Sequence, residues 1–437
     1  MRKKVLIITY YWPPSGGSGV QRWLKFVKYL PQFGWDPIVY TVENGEFPVI
    51  DESLLKDIPP DVKIIKQPIW EPFGLYKKLT GKKKSEQFGH GFAGEKNERG
   101  LKKTVKNFAI WVRGNFFIPD ARKFWIRPSV KFLSKYLKEK KIEYIITTGP
   151  PHSLHLIGLR LKKTNQIKWL ADFRDPWTGV YYFPELKLSK HSFEKHRFLE
   201  NEVLSSADKI ITVGKTLKEN LLRLSQDKLN PSKIEVITNG FDFEIKPQYR
   251  HPQAFSLVYT GLFSKDQNHD VLWDAISQCC KMSDDFSKAF SVHLYGKTDP
   301  SVVASIENFN LSEKLSLHGH VNLDEVGEIQ RSAAMLLLCI NHYPGEKEML
   351  TGKLFDYIGS SRPILNIGPT DGDAAEIIHY TKTGITFSLY DKNGIVDYLM
   401  NCFELFKKHQ LMSHPENVTE FHRRTLTLKL SKVLGEL

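Results

Sequence analysis

The feature that most constrains this chain is a strand–helix alternation that runs along it and then starts again. Short β-rich runs lie at Val5–Tyr10, Pro37–Thr41, Tyr144–Thr148, Lys168–Ala171, Lys209–Val213 and Lys233–Thr238. A second series lies at Phe255–Thr260, Ser291–Tyr295, Leu315–His318, Met335–Ile340 and Pro363–Ile367. Helical periodicity fills gaps between them, as in Val20–Phe33, Trp125–Lys140, Glu325–Ala333 and Leu350–Gly359. Apolar strands alternating with helices predict parallel sheets covered on both faces. The two series are separated by Gly240–Gln253, which holds Pro247 and Pro252. The expected organisation is therefore an α/β chain of two doubly wound domains, residues 1–240 and 254–410, with a linker at 241–253. A last helical stretch within 411–437 is expected to pack back on the first domain.

Charge divides the chain at the same place. Residues 1–240 carry 43 Lys+Arg against 24 Asp+Glu, and residues 241–437 carry 19 against 25. Nineteen of the basic residues, against five acidic ones, fall in 77–141, with Lys82-Lys83-Lys84 and Lys102-Lys103. Phe108, Trp111, Phe116, Phe117, Phe124 and Trp125 are interleaved with them. Such a segment is either a solvated insertion with a few core aromatics or a surface for an anionic membrane, with Lys/Arg on headgroups and aromatics at the interface. A basic patch without a nucleic-acid module gives only an electrostatic footprint, so no nucleic-acid partner is expected.

The composition, 41% apolar and 12% aromatic, excludes global disorder. No apolar run reaches the ~18 residues of a membrane-spanning helix. Val5-Leu6-Ile7-Ile8 is followed at once by Thr9 to Pro14, so it reads as a buried first strand rather than a signal sequence. The four cysteines, Cys279, Cys280, Cys339 and Cys402, form neither a disulfide framework nor a zinc pattern, which suits a reducing cytoplasm.

Four motifs carry chemistry. Ser15-Gly16-Gly17-Ser18-Gly19 follows the first strand and opens a helix. Glycine lets a ligand approach the backbone there, and the helix start offers N–H groups to an anion. Gly149-Pro150-Pro151-His152-Ser153-Leu154-His155 ends another strand, and either histidine can act as base or hydrogen-bond partner. Asp172-Phe173-Arg174-Asp175-Pro176-Trp177 sets two carboxylates and a guanidinium within four residues. It reads as a catalytic cluster or as an internal Asp–Arg pair. Glu348 and Asp356 flank Thr351-Gly352-Lys353. There Thr351 can cap a helix, and Gly352, Lys353 and the first amides can hold phosphate oxygens.

With these motifs the chain resembles the retaining, nucleotide-sugar-dependent glycosyltransferases of the GT-B fold, most like family 4. The resemblance also rests on Ala207 to Val213, on Thr238-Asn239-Gly240-Phe241-Asp242, on Val258-Tyr259-Thr260-Gly261, on Leu317-His318-Gly319-His320-Val321, and on Lys353 to Tyr357 followed by Ser361-Arg362-Pro363. It implies two Rossmann-like doubly wound domains facing a cleft. It implies a donor contact with sugar and diphosphate at Glu348 and with the ribose at Asp356, where the family has a second Glu. Leu262 stands where the family has an Arg, which leaves Lys265 as the expected cation beside Gly261. Gly17, Ser18 and Gly19 match the loop that approaches the donor phosphates. His152 or His155 matches a base or positioning histidine, and Asp175 an acid of an Arg-Asp-x-Trp element.

The expected activity is transfer of a hexosyl-type sugar from a nucleotide-diphosphate sugar, the co-substrate, to a glycan or lipid-linked acceptor. No separate cofactor and no metal are expected: Asp371-Gly372-Asp373 reads as a helix cap with a first-turn acid rather than a metal motif. The expected setting is the cytoplasm or the inner membrane surface, in polysaccharide synthesis. Two other readings stay open, a sugar-nucleotide epimerase of the same fold and a catalytically silent binding module at a membrane surface.

Overall fold

The computed structural model describes residues 2–71, 101–226, 228–245 and 251–437. They form two compact units, Met1–Thr238 with Arg423–Leu437, and Asn239–His422. The break thus falls two residues before the expected linker, and 411–422 lies with the second unit rather than with the returning helix.

The first unit is built on seven strands: β1 (Lys3–Ile8), β2 (Trp35–Val42), β3 (Lys63–Gln67), β4 (Tyr144–Gly149), β5 (Lys168–Phe173), β6 (Lys209–Thr212) and β7 (Ile234–Val236). All pair in parallel, in the order β3-β2-β1-β4-β5-β6-β7. Its helices are α1 (Ser18–Tyr29), α2 (Leu101–Phe116), α3 (Ile126–Lys140), α4 (Ser153–Thr164), α5 (Lys190–Ser206) and α6 (Lys215–Leu224). Successive side chains of a strand point to opposite faces. Accordingly Leu6 and Ile8 of β1 join one apolar cluster, and Val5 and Ile7 join another.

The second unit has β8 (Phe255–Thr260), β9 (Phe290–Tyr295), β10 (Leu315–Gly319), β11 (Met335–Cys339), β12 (Ile364–Ile367) and β13 (Gly384–Phe387), in the order β10-β9-β8-β11-β12-β13. Its helices are α7 (Asp270–Met282), α8 (Asp284–Ala289), α9 (Pro300–Asn308), α10 (Leu323–Ser332), α11 (Gly352–Ser360), α12 (Asp373–Thr381) and α13 (Lys392–Lys407). The chain then returns to the first unit as α14 (Arg423–Gly435). Leu426, Leu430, Val433 and Leu434 recur on one helical face and pack with Val20, Trp23, Leu24 and Val27 of α1.

Two edge strands, β3 and β13, were not expected. Lys63–Gln67 and Gly384–Phe387 are short and only partly buried, so they lack the continuous apolar run of an interior strand. Of the aromatics interleaved with the basic residues, Trp125 is a core residue, fully buried and stacked on Tyr40 at 5.0 Å. Lys82-Lys83-Lys84 lies outside the described residues.

Each sheet order reverses beside its first strand, between β1 and β4 and between β8 and β11. In open α/β sheets ligands bind at the carboxyl ends of strands at such reversals. The four motifs follow β1, β4, β5 and β11.

Candidate active site

In the first unit three loops meet. Arg174, just past β5, donates from Nη2 to the Pro150 carbonyl at 2.6 Å. Its Nη1 lies 1.5 Å from where a Cβ on Gly19 would sit, so only glycine fits there without moving the guanidinium. Gly17, at φ +106°, precedes α1, whose start has no side-chain cap and no acidic residue in its first turn. Gly17 and Ser18 are exposed. A guanidinium thus stands beside an uncapped helix start, an arrangement suited to an anionic or hydroxyl-rich ligand.

His152 and His155 are both buried at the start of α4. His155 is stacked on Phe173 at 4.4 Å, and its Nδ1 is 2.8 Å from Thr147 Oγ1. His152 lies flat on Trp177 at 4.9 Å and bonds the Pro176 carbonyl. His155 Nε2 and His152 Nδ1 have no partner. Both lie close to where a Gly149 Cβ would be, at 2.5 and 3.1 Å. Burial pushes His152 down to about 4 and His155 well below the usual histidine range. Both rings are therefore neutral at pH 7 and act as hydrogen-bonding groups. Of the two, His152 is the more accessible, at 9% against 0%.

Asp172 does not stand with Arg174. It is fully buried and accepts from Arg22 Nη2 (3.1 Å) and Nε (3.3 Å), Trp23 Nε1 (2.7 Å) and Thr148 Oγ1 (2.9 Å). Arg22 in turn donates to the Thr238 carbonyl at 2.8 Å. The expected internal Asp–Arg pair exists, but its arginine lies in α1. Because β5 ends at Phe173, strand alternation does not carry Asp172 and Arg174 to one side. We therefore assign Asp172 a structural role. Asp175 is exposed on the loop, where its charge raises the Tyr182 hydroxyl after the larger effect of burial.

Asp120 was missed in the sequence. Its carboxylate accepts from Ser153 N at 2.9 Å and Ser153 Oγ at 2.7 Å, so it caps α4 beside His152.

In the second unit the site forms at the start of α11. Thr351 occupies the cap position, yet its side chain makes no capping bond, and its buried Oγ1 has no hydrogen-bond partner. The first turn of α11 carries no acid. Lys353 packs under Gly261, whose φ is +97° and whose Cβ would lie 2.9 Å from Lys353 Cε. The ammonium donates to the Leu262 carbonyl at 3.2 Å and sits over the Tyr259 ring at 4.8 Å. Burial pushes it down to about 8. A hydroxyl without a partner, an uncapped helix start and a half-buried ammonium lie within three consecutive residues, and an anion would suit each of them. Gly352 leaves open space there.

Asp356, one turn on, and Glu348, at the end of the short turn Glu346–Glu348, are both half-buried. Asp356 partly offsets the depression of Lys353. Lys265 is exposed on a turn closed by the Ser264–Gln267 capping box, and Leu262 is exposed beside it. Asp371 pairs with Lys347, while Gly372 takes the cap position of α12 with Asp373 in its first turn.

The chain has two Rossmann-like units, the GT-B fold. Residues 91–245 match the model of Glycosyltransferase Family 4. A glycosyltransferase from Rickettsia africae ESF-5 aligns over 100% of this chain and 98% of its own, with TM-score 0.62 and 15% identity. Anabaena HepE in complex with UDP aligns over 100% of both chains, with TM-score 0.60 and 13% identity. A putative UDP-N-acetylglucosamine 2-epimerase from Listeria monocytogenes shares the fold over 100% of this chain and 96% of its own, with TM-score 0.54 and 12% identity. No curated protein matches the chain in sequence.

Proposed function

We propose that the chain transfers a sugar from a nucleotide-diphosphate sugar to a hydroxyl of a glycan or lipid-linked glycan. The observation that carries this is the start of α11, where Thr351 Oγ1, the first amides and Lys353 offer a site to a diphosphate. Glu348 and Asp356 flank it, the first toward the sugar and the second toward the ribose. Lys265 adds positive charge from its turn. In the reaction the bond from the anomeric carbon to the diphosphate oxygen breaks, and a bond to the acceptor oxygen forms. The acceptor proton passes to the departing phosphate oxygen on the same face, so configuration is retained. Lys353 and the helix start stabilise the charge that develops on the leaving group, and no metal is needed. The acceptor is held in the first unit by His152 and Arg174.

The test is release of nucleoside diphosphate from UDP- and GDP-sugars, with and without glycan acceptors, in the presence of EDTA. Acceptor-dependent release supports transfer. Release or epimer formation without acceptor would favour the epimerase reading, and no release with tight donor binding would favour a silent binding module.

Binding has its own pH signature. Burial holds Lys353 down at about 8, and a bound diphosphate raises it again. Above that pH, binding must take up a proton, so affinity falls by up to about tenfold per pH unit. Below it, this group adds no pH dependence. Calorimetry of UDP and GDP binding between about pH 7 and 9.5 should show the fall, and Lys353→Arg should abolish it.

Our reading includes the cytoplasmic face of an anionic membrane. No helix among the described residues is long and apolar enough to cross one. Trp70, Phe108, Phe116 and Phe124 are nevertheless exposed, at 60%, 64%, 59% and 40%. Trp70 meets Phe124 at 4.7 Å, Trp111 meets Phe108 at 6.0 Å and Phe116 at 5.6 Å, and Lys123 lies over Phe117 and Phe124. Exposed aromatics with interleaved lysine suit a charged lipid interface. Co-sedimentation should show binding to vesicles with anionic lipid and little to neutral ones; equal binding to both would sink this part.

A further inference from the structure

The loop that carries Arg174 is gripped from behind. His196 and Glu200 stand one turn apart on α5, and both are buried, at 2% and 1%. His196 Nδ1 accepts from Trp177 Nε1 at 3.0 Å. Glu200 accepts from the Thr178 amide at 3.3 Å and from the Thr178 hydroxyl at 2.5 Å. One helix face thus fixes two consecutive residues of the loop.

Trp177 passes the constraint on. Its indole is parallel to the His152 ring, 6° between planes at 4.9 Å. The neighbouring Pro176 carbonyl takes the His152 hydrogen bond. His152 is therefore held by the loop through both a ring face and one nitrogen, and its Nδ1 is left bare. The same loop carries Arg174 to Gly19 and Pro150.

Both groups take up donors of the loop, Trp177 Nε1–H and the Thr178 N–H and O–H, which an apolar side chain would leave unpaired, so both contribute to stability. Glu200 and His196 also add direction, because a hydrogen bond fixes the rotation of the group it meets. We infer that His196 and Glu200 are positioning residues, which set the plane of Trp177 and hence the aim of His152 and Arg174 at the acceptor. This rests on the proposed acceptor site in the first unit.

The test is a cycle between His196 and His152, read by kcat, donor KM and melting temperature. His196→Leu should lower kcat about tenfold or more, since small misplacements of reacting groups are costly. Donor KM should change less than kcat, because Thr351 and Lys353, which are proposed to hold the diphosphate, lie in the other unit. His196→Asn, whose carboxamide oxygen can still accept from Trp177 Nε1, should recover most of kcat. Trp177→Phe, which keeps the ring and removes the N–H, should behave as His196→Leu does. In a His152→Ala background, His196→Leu should cost much less, only the part that passes through Arg174. Equal losses in both backgrounds, or a lowered melting temperature with kcat intact, would overturn the inference. If His152→Ala alone left kcat unchanged, the acceptor-site reading would fall, and the inference with it.

Discussion

Lys353→Ala is expected to lower kcat/KM for sugar transfer by about 10²–10³-fold, the usual cost of removing one preorganised group that meets developing charge. Most of the loss should appear in kcat, since the leaving phosphate carries more charge in the transition state than in the bound donor. The geometry is the reason this lysine is expected to matter more than Lys265. Its ammonium is packed beneath Gly261 and over Tyr259, with one backbone carbonyl as hydrogen-bond acceptor. Lys265, by contrast, is exposed and solvated. Removing Lys265 should therefore cost much less, because water screens an exposed charge. Steady-state kinetics on both variants checks this ranking. Equal losses would move the phosphate site toward Lys265.

The second large effect is on stability. Asp172→Ala should destabilise the first unit by about 3–5 kcal/mol, because it strands the Arg22 charge in a dry interior. For a unit of this size that is a fall of roughly 10 °C in melting temperature. Arg22 and Asp172 are both fully buried, and the pair also holds Trp23 and Thr148. Partial recovery is expected in the double variant Arg22→Met/Asp172→Leu, in which no charge is left unpaired. Calorimetric melting of the two variants decides it. A melting temperature near wild type for Asp172→Ala would return Asp172 to the list of candidate catalytic groups.

Much of this was legible in the sequence, for a physical reason. Interior parallel strands are apolar on both faces, so β1, β4, β5, β8 and β11 announce themselves, and with them the loops at their carboxyl ends. The glycines at 17, 19 and 261 sit where a backbone turns sharply or meets a cation, and glycine marks such places. Edge strands β3 and β13 were not legible, because a half-solvated strand loses the apolar run.

Partnerships across long stretches of chain were not legible either. Nothing near Asp172 tells that Arg22, 150 residues earlier, takes its charge. Nothing near Ser153 tells that Asp120 caps its helix. Glu200 and His196 read as ordinary helix residues until the loop at 174–178 folds against them. Thr351 shows the converse. The sequence signalled a cap, yet its hydroxyl is left unused beside Lys353, as a ligand site would require.

The central claim is that the start of α11 binds the diphosphate of a sugar donor. It is tested most directly by calorimetric titration of nucleoside diphosphates into the full chain and into Lys353→Ala, at a pH near 7. UDP or GDP is expected to bind the wild-type chain, and the variant to lose at least tenfold in affinity. The claim would be contradicted by the absence of binding of any nucleoside diphosphate to the folded wild-type chain, or by equal affinity in the two proteins.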